Sequence, residues 1–313
     1  MKVLYLGSGD IGVPTLRTLA SSHAVAAVVT QPDQPAGRGL ALRASPIKLA
    51  ALELGLNVLQ PERIRRPEAV AELAAFPADV IVVFAYGQIL PQAVLDLPRV
   101  ACLNIHASIL PRWRGAAPIQ AAVQAGDKTS GLTVMYMDAG LDTGDILLQH
   151  AIPLAADESG GSLHERLAAL APDCILEALE RLAAGHAPRV SQNGALATHA
   201  PKLNRESGRL DWARPAAELE RTVRAFQPWP GTSTILPART GEPARVLKVF
   251  AAGVDRGDGL PGTVLRADSG GLLVATGEGG LALRELQLEG RKRLAVGEFL
   301  RGQPIEAGTV LGA

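Results

Sequence analysis

The side chains best suited to chemistry lie between Leu103 and Asp145, in the run LNIHASILPRWRGAAPIQAAVQAGDKTSGLTVMYMDAGLDTGD. Asn104 and His106 stand two apart at the end of an apolar run, so on a strand both side chains share one face. A carboxamide can donate to a developing oxyanion while an imidazole moves a proton. The pair lacks an acid to orient the imidazole. The Gly/Asp-rich run 138–145 offers three, Asp138, Asp142 and Asp145. Singly, each element is ordinary: strand-end histidines are more often structural, and Asp/Gly runs are mostly turns. Together, with a Pro/Trp/Gly loop between them, they describe a site that stabilises an oxyanion and transfers a proton.

The elements that must hold these groups follow from periodicity. Lys2–Gly7, Val25–Thr30, Asp79–Phe84 and Val100–Ile105 are short apolar runs rich in β-branched residues, separated by helical stretches at Ile11–Ala20, Pro46–Leu54 and Pro67–Ala75. Near-continuous apolar strands between helices predict a mostly parallel, doubly wound α/β sheet covered on both faces. Such sheets take ligands at the carboxyl ends of their strands, where Asn104 and His106 fall. A long helix over Ser162–Ala184 closes this half.

Gln192–Gly208 lapses into polar and turn residues, the composition of a linker. A short helix at Ala216–Ala225 and a Pro-Trp-Pro-Gly punctuation at 228–231 follow. Arg245–Ala251, Gly262–Ala267, Gly271–Ala275 and Gly280–Gln287 then read as strands of a small OB-like β-barrel. The expected organisation is a catalytic domain over 1–189, a linker over 190–208 and a β-barrel domain over 209–313.

Gly7-Ser8-Gly9-Asp10-Ile11-Gly12 satisfies G-x-G-x-x-G, and Asp33 lies 21 residues past Gly12. A nicotinamide-dependent oxidoreductase is the alternative this motif raises. The detail opposes it, because Thr30-Gln31-Pro32 separate the strand tip from Asp33, and glycines at a strand–helix turn also serve close packing.

Composition narrows the classes. With 313 residues, 47% hydrophobic and 20% charged, the chain is long enough for an ample core and is not largely disordered. No apolar run approaches the ~20 residues of a membrane helix, and two cysteines do not make a secreted disulfide framework. A cytoplasmic protein is expected. Net charge is zero, but residues 1–189 carry 15 Lys+Arg against 18 Asp+Glu and residues 190–313 carry 16 against 13, a distribution compatible with docking a polyanion. His150, His164, His186 and His199 are scattered without ligand spacing, so no metal is expected. Cys102 and Cys174 read as small apolar residues, although a nucleophilic Cys102 beside His106 stays open.

The run Asn104-Ile-His106-Ala-Ser108-Ile-Leu-Pro111 through Gly115 to Pro118, with Asp138-x-Gly140-x-Asp142-Thr-Gly-Asp145, resembles the two signatures of the folate-dependent formyltransferases. The resemblance implies Asn104, His106 and Asp142 as the catalytic trio and 10-formyltetrahydrofolate as co-substrate. It implies folate contacts at Ser108, Ile109, Leu110 and Pro111, and at Phe84, Tyr86, Gly87 and Ile89. Ile109 stands where leucine is more usual, a conservative change. The long loop Gln31–Ser45, the run Ala200-Pro-Lys202 and the run Arg224–Gly231 further resemble the branch whose acceptor is initiator methionyl-tRNA, acting in translation initiation. In that branch Arg38, and with it Arg43, would engage the acceptor stem, although the loop here is poor in lysine. A monomer is expected. Rival readings keep the trio and change the acceptor to an amino sugar or another small amine, or drop catalysis for a nucleotide- or RNA-binding module.

Overall fold

The computed structural model describes residues 1–36, 41–238, 243–268 and 271–312. The strands of the first half are β1 (Lys2–Gly7), β2 (Ala24–Val29), β3 (Gln34–Ala36), β4 (Ala41–Arg43), β5 (Val58–Leu59), β6 (Val80–Phe84), β7 (Ala101–His106), β8 (Arg114–Gly115), β9 (Thr129–Tyr136), β10 (Ile146–Pro153) and β11 (His199–Ala200). Helices α1 (Val13–Ser22), α2 (Pro46–Glu53), α3 (Pro67–Ala74), α4 (Gln92–Leu95), α5 (Pro118–Ala125) and α6 (Gly160–Ala183) alternate with them.

Seven strands form one sheet in the order β10-β9-β7-β6-β1-β2-β5. The five strands β7, β6, β1, β2 and β5 are mutually parallel, as their apolar sequences lead one to expect, and β6 (VIVVF) is buried at every position. Strand order reverses between β1 and β6, which makes their carboxyl ends the switch point of the sheet. The remaining two strands were not anticipated. β9 runs antiparallel to β7, and β10 antiparallel to β9, so the Gly/Asp-rich run is the connection of a β-hairpin at the sheet's flank.

The glycines of the G-x-G-x-x-G run are explained by packing. Tyr5 is fully buried and its hydroxyl donates to the Gly12 carbonyl at 2.9 Å. A Cβ on Gly12 would meet that hydroxyl at 2.4 Å, and one on Gly7 would meet the Phe84 carbonyl at 2.9 Å. The Ser8 and Gly9 amides, which a pyrophosphate would need, both donate to the Ala85 carbonyl, at 3.1 and 3.3 Å. Asp33 is engaged too. Lys48 Nζ lies 2.9 and 2.8 Å from its oxygens, and hydrogen bonds from Lys48 and then Gln60 hold its carboxyl below the usual carboxylate range. Gly12→Ala is expected to cost about 1–3 kcal/mol through overpacking against Tyr5, read as a lowered thermal midpoint.

Two compact units are present, one of Met1–Pro118, Thr129–Pro153 and His164–Ala200, the other of Ile119–Lys128, Leu154–Leu163 and Pro201–Ala313. In the second, α7 (Ala216–Ala225) precedes β12 (Thr232–Leu236), β13 (Arg245–Asp255), β14 (Val264–Asp268), β15 (Gly271–Ala275), β16 (Gly280–Leu288) and β17 (Arg293–Ala295), and α8 (Val296–Gly302) ends it. The strands are antiparallel in the order β12-β13-β16-β15-β14, with β17 on β16. Every strand from β12 to β16 contributes to one apolar core with Trp212, Leu219, Val223 and Phe299, and register shifts in β13 and β14 mark where the sheet bends. Within the same unit, α5 is tied to α7 by the Arg221 Nε bond to the Gln124 carbonyl (2.9 Å) and the Gln124 bond to Thr222 Oγ1 (3.1 Å). Among the described residues no helix is long and apolar enough to cross a membrane.

Candidate active site

β7 carries the site on one face. Cys102, Asn104 and His106 alternate with Ala101, Leu103 and Ile105, so the face runs from the core outward to the strand's carboxyl end. Cys102 belongs to the core cluster, and burial pushes its thiol up to about 12. It is therefore a protonated core residue at neutral pH, which removes the nucleophilic reading. Burial likewise pushes Cys174 up to about 12.

His106 is 6% exposed. Its Nε2 lies 2.8 Å from the Trp113 carbonyl, and Nδ1 lies 3.6 Å from Asp142 Oδ1. A carbonyl only accepts, so Nε2 bears hydrogen in this arrangement and Nδ1 faces the carboxylate. The other Asp142 oxygen accepts the Gly115 amide at 2.8 Å. Of the three acids in the hairpin connection, Asp142 is the one that reaches the imidazole. Asp138 instead closes a local turn with the Gly140 amide and the Thr143 hydroxyl, and Asp145 accepts from Ser191. Asn104 is half-buried, and among the described residues its carboxamide makes no hydrogen bond. It is thus the free donor of the pair, whereas both nitrogens of His106 face protein acceptors.

The loop after β7 is shaped around this ring. Leu110–Pro111 is a cis peptide, Trp113 takes φ +62°, and the Trp113 carbonyl faces His106. Thr133 Oγ1 accepts the Leu110 amide at 3.1 Å and donates to the Ser108 carbonyl at 2.7 Å, while Gln149 donates to the Leu110 carbonyl at 2.8 Å. Asp142 itself sits at φ +53°. Gly144 allows the connection to close: a Cβ there would lie 1.7 Å from the Tyr136 carbonyl oxygen.

The positions expected to hold folate divide into two sets. Ser108, Leu110, Phe84 and Tyr86 are buried, and Ser108 Oγ donates to the Arg112 carbonyl at 2.6 Å. Ile109 and Pro111 are half-buried, whereas Gly87 and Ile89 are exposed. The Tyr86 hydroxyl is buried without a hydrogen-bond partner. Of the two arginines expected at the acceptor, Arg43 is exposed at the end of β4, and Arg38 lies outside the described residues. Arg293, the last residue of the basic run Arg291-Lys292-Arg293, is committed to Glu285 and stacks on Phe250 at 4.3 Å. His150 pairs with Glu177 at 2.8 Å and His164 with Asp10 at 3.2 Å. Among the described residues no group of three His, Cys, Asp or Glu side chains is arranged to hold a metal.

Residues with no motif to mark them complete the site. Gln192 donates to the Asp142 carbonyl at 2.9 Å and the Gly144 carbonyl at 2.8 Å, and accepts from Arg114 Nε and Nη2 at 3.1 and 2.8 Å. The Arg189 guanidinium lies 3.7 Å from the centre of the Tyr136 ring, beside the same hairpin. Gln192 falls in the segment whose composition suggested only a linker.

The formyl transferase family model matches residues 1–179, and the formyl transferase C-terminal domain model matches residues 202–304. This chain belongs to the formyl transferase family. Formyl transferases similar over full length include the methionyl-tRNA formyltransferases of Pseudomonas paraeruginosa, 54% identical over all of both chains, and of Pseudomonas fluorescens Pf0-1, 51% identical over all of this chain and 97% of that one. Among solved structures, a sugar 3N-formyl transferase, WlaRD, matches with a TM-score of 0.65 at 14% identity over 93% of this chain and 99% of its own. HypX from Aquifex aeolicus in complex with tetrahydrofolic acid matches with a TM-score of 0.63 at 20% identity, over all of this chain and 51% of its own. At those identities the structural likeness shows the fold of a formyl transferase alone.

Proposed function

We propose that this enzyme transfers the formyl group of 10-formyltetrahydrofolate to the α-amine of methionine esterified to initiator tRNA, supporting translation initiation. The observation that carries the chemistry is the arrangement on and beside β7: a free Asn104 carboxamide and, two residues on, an imidazole with Asp142 at 3.6 Å. The acceptor is supported by identity above one half with methionyl-tRNA formyltransferases over the whole of both chains.

The amine nitrogen attacks the formyl carbon, a C–N bond forms, and the carbonyl π pair moves onto oxygen. Asn104 donates to that oxyanion, a contribution of about 3–4 kcal/mol by comparison with other oxyanion donors. As the carbonyl reforms, the bond to the folate nitrogen breaks, so the amine loses one proton and the folate nitrogen gains one. His106, oriented by Asp142 and the Trp113 carbonyl, serves that transfer. The pterin would lie along the main chain of Phe84–Gly87 and Ser108–Pro111, because most side chains there are turned into the core. Residues 1–189 would form the transfer domain, 190–208 the connection and 209–313 the tRNA-binding domain of a cytoplasmic monomer, with Arg38 and Arg43 toward the acceptor stem.

Formyl transfer is assayed from 10-formyltetrahydrofolate to methionyl initiator tRNA and, in parallel, to a nucleotide-linked amino sugar. Transfer to the tRNA alone is expected, and transfer to the sugar alone overturns the choice of acceptor. Phosphate contacts make tRNA affinity salt-dependent. If six phosphates are neutralised, raising salt from about 50 to about 200 mM weakens it about 10³-fold, while folate binding changes only a few-fold. Equal salt sensitivity of the two ligands would contradict a polyanion-binding role.

A further inference from the structure

We propose that Gln192 is a positioning residue for formyl transfer: its carboxamide fixes the main chain of the hairpin connection so that the Asp142 carboxylate faces His106. The proposal rests on the reading that His106 and Asp142 serve that reaction.

The segment after α6 is laid across both site loops. Val190 and Ile146 exchange amide–carbonyl bonds at 2.8 and 3.0 Å, and Ser191 Oγ donates to Asp145 Oδ1 at 3.0 Å. Gln192 then binds the Asp142 and Gly144 carbonyls. Farther along, Thr198 Oγ1 accepts the Trp113 amide at 2.9 Å, the Thr198 carbonyl accepts the Arg114 amide at 2.9 Å, and β11 pairs in parallel with β8. The loop that turns a carbonyl onto His106 and the loop that carries Asp142 are thus held by the same ten or so residues.

Gln192 is central because its side chain is used to capacity. Both amide hydrogens go to carbonyls of the acid loop, and the oxygen takes two bonds from Arg114. Arg114 is 9% exposed, so its guanidinium needs that acceptor. Asp142, at φ +53°, occupies a backbone region that a non-glycine residue keeps when its surroundings over-determine it. The bond from Gln192 to the Asp142 carbonyl supplies that restraint at the residue itself, and the bond to Gly144 supplies it two residues on. Without them the carboxylate keeps, among the described residues, the Gly115 amide and the longer contact with His106.

The test is Gln192→Met, which keeps the volume and removes every polar contact. The kcat for formyl transfer is expected to fall about 10- to 100-fold, as for a sub-ångström to ångström misplacement of a catalytic group, with KM for both substrates within about twofold. In an Asp142→Ala background, where no carboxylate remains to be positioned, the same substitution is expected to cost less than about threefold. An equal loss in both backgrounds, or a loss carried by KM, overturns the proposal. Should Gln192→Met not fold, Gln192→Glu keeps length and the Arg114 partner while turning an oxygen toward the two carbonyls. It is expected to show the same kcat loss, and full activity of this variant overturns the proposal. Absence of formyl transfer by the unsubstituted chain would sink the functional reading. Amide hydrogen exchange then decides the positioning role alone: faster exchange at residues 140–146 in Gln192→Met, with β1 and β6 unchanged, supports it, and unchanged exchange overturns it.

Discussion

Replacing His106 by alanine is expected to lower kcat about 10²- to 10⁴-fold, the range that a positioned proton-transfer group contributes. On the proposed mechanism the imidazole passes the proton between amine and folate nitrogen, and two contacts orient it: the Trp113 carbonyl at 2.8 Å and Asp142 at 3.6 Å. A separation of 3.6 Å is beyond a good hydrogen bond, and such contacts tighten in the reactive complex. Alanine also leaves a buried gap and removes a hydrogen-bond contact to the Trp113 carbonyl, so some stability is lost as well. His106→Gln separates the two effects, because a carboxamide can still donate to Trp113 but cannot accept and release a proton near neutral pH. Single-turnover formyl transfer is the measurement. A His106→Gln variant within tenfold of the unsubstituted rate would remove the imidazole from the proton path.

Gly144→Ala is expected to abolish most activity without touching any reacting group. The added Cβ would lie 1.7 Å from the Tyr136 carbonyl oxygen, which is main chain of β9 and cannot swing aside. The connection must therefore move, and Asp142 moves with it, because Gly144 shares the Gln192 clamp. A shift near 1 Å is worth about 10²-fold in rate. Gly194→Ala is the matched control, since a Cβ there meets nothing within 4 Å. The expected pattern is a large fall in kcat for the first variant and none for the second, with unchanged circular dichroism in both. Equal activities would mean that the acid loop's geometry does not limit the reaction.

Much of the first half could be read before the structure, because four of its strands, β1, β2, β6 and β7, are largely apolar and therefore visible as runs. Lys2–Gly7 has the anticipated limits, and the others shift by one residue. Asn104 and His106 were found by spacing on such a run. Separating Asp142 from Asp138 and Asp145 by residue type alone was not possible, since all three are carboxylates among glycines; what separates them is the loop's path, with φ +53° at Asp142. The β9–β10 hairpin escaped notice because TSGLTVMY carries a glycine and ILLQHAIP is interrupted by the polar pair Gln149-His150, so neither reads as a continuous buried strand. Gln192 was missed for a different reason. A residue that works by hydrogen-bonding main-chain carbonyls looks like any polar residue in a turn-rich stretch. The association of Ile119–Lys128 with residues beyond 200 depends on tertiary packing, which no local pattern encodes.

The binding of residues 190–200 to both site loops bears on where the polypeptide can be severed. A truncated first half that stops at Arg189 would discard Gln192, Thr198 and β11, and with them the bonds that seat the acid and the Trp113 turn. One that stops just beyond Ala200 retains them all. Chimeras that exchange the second half among relatives should accordingly be spliced downstream of that alanine, because the peptide ahead of it is part of the framework of the proposed site and no mere tether.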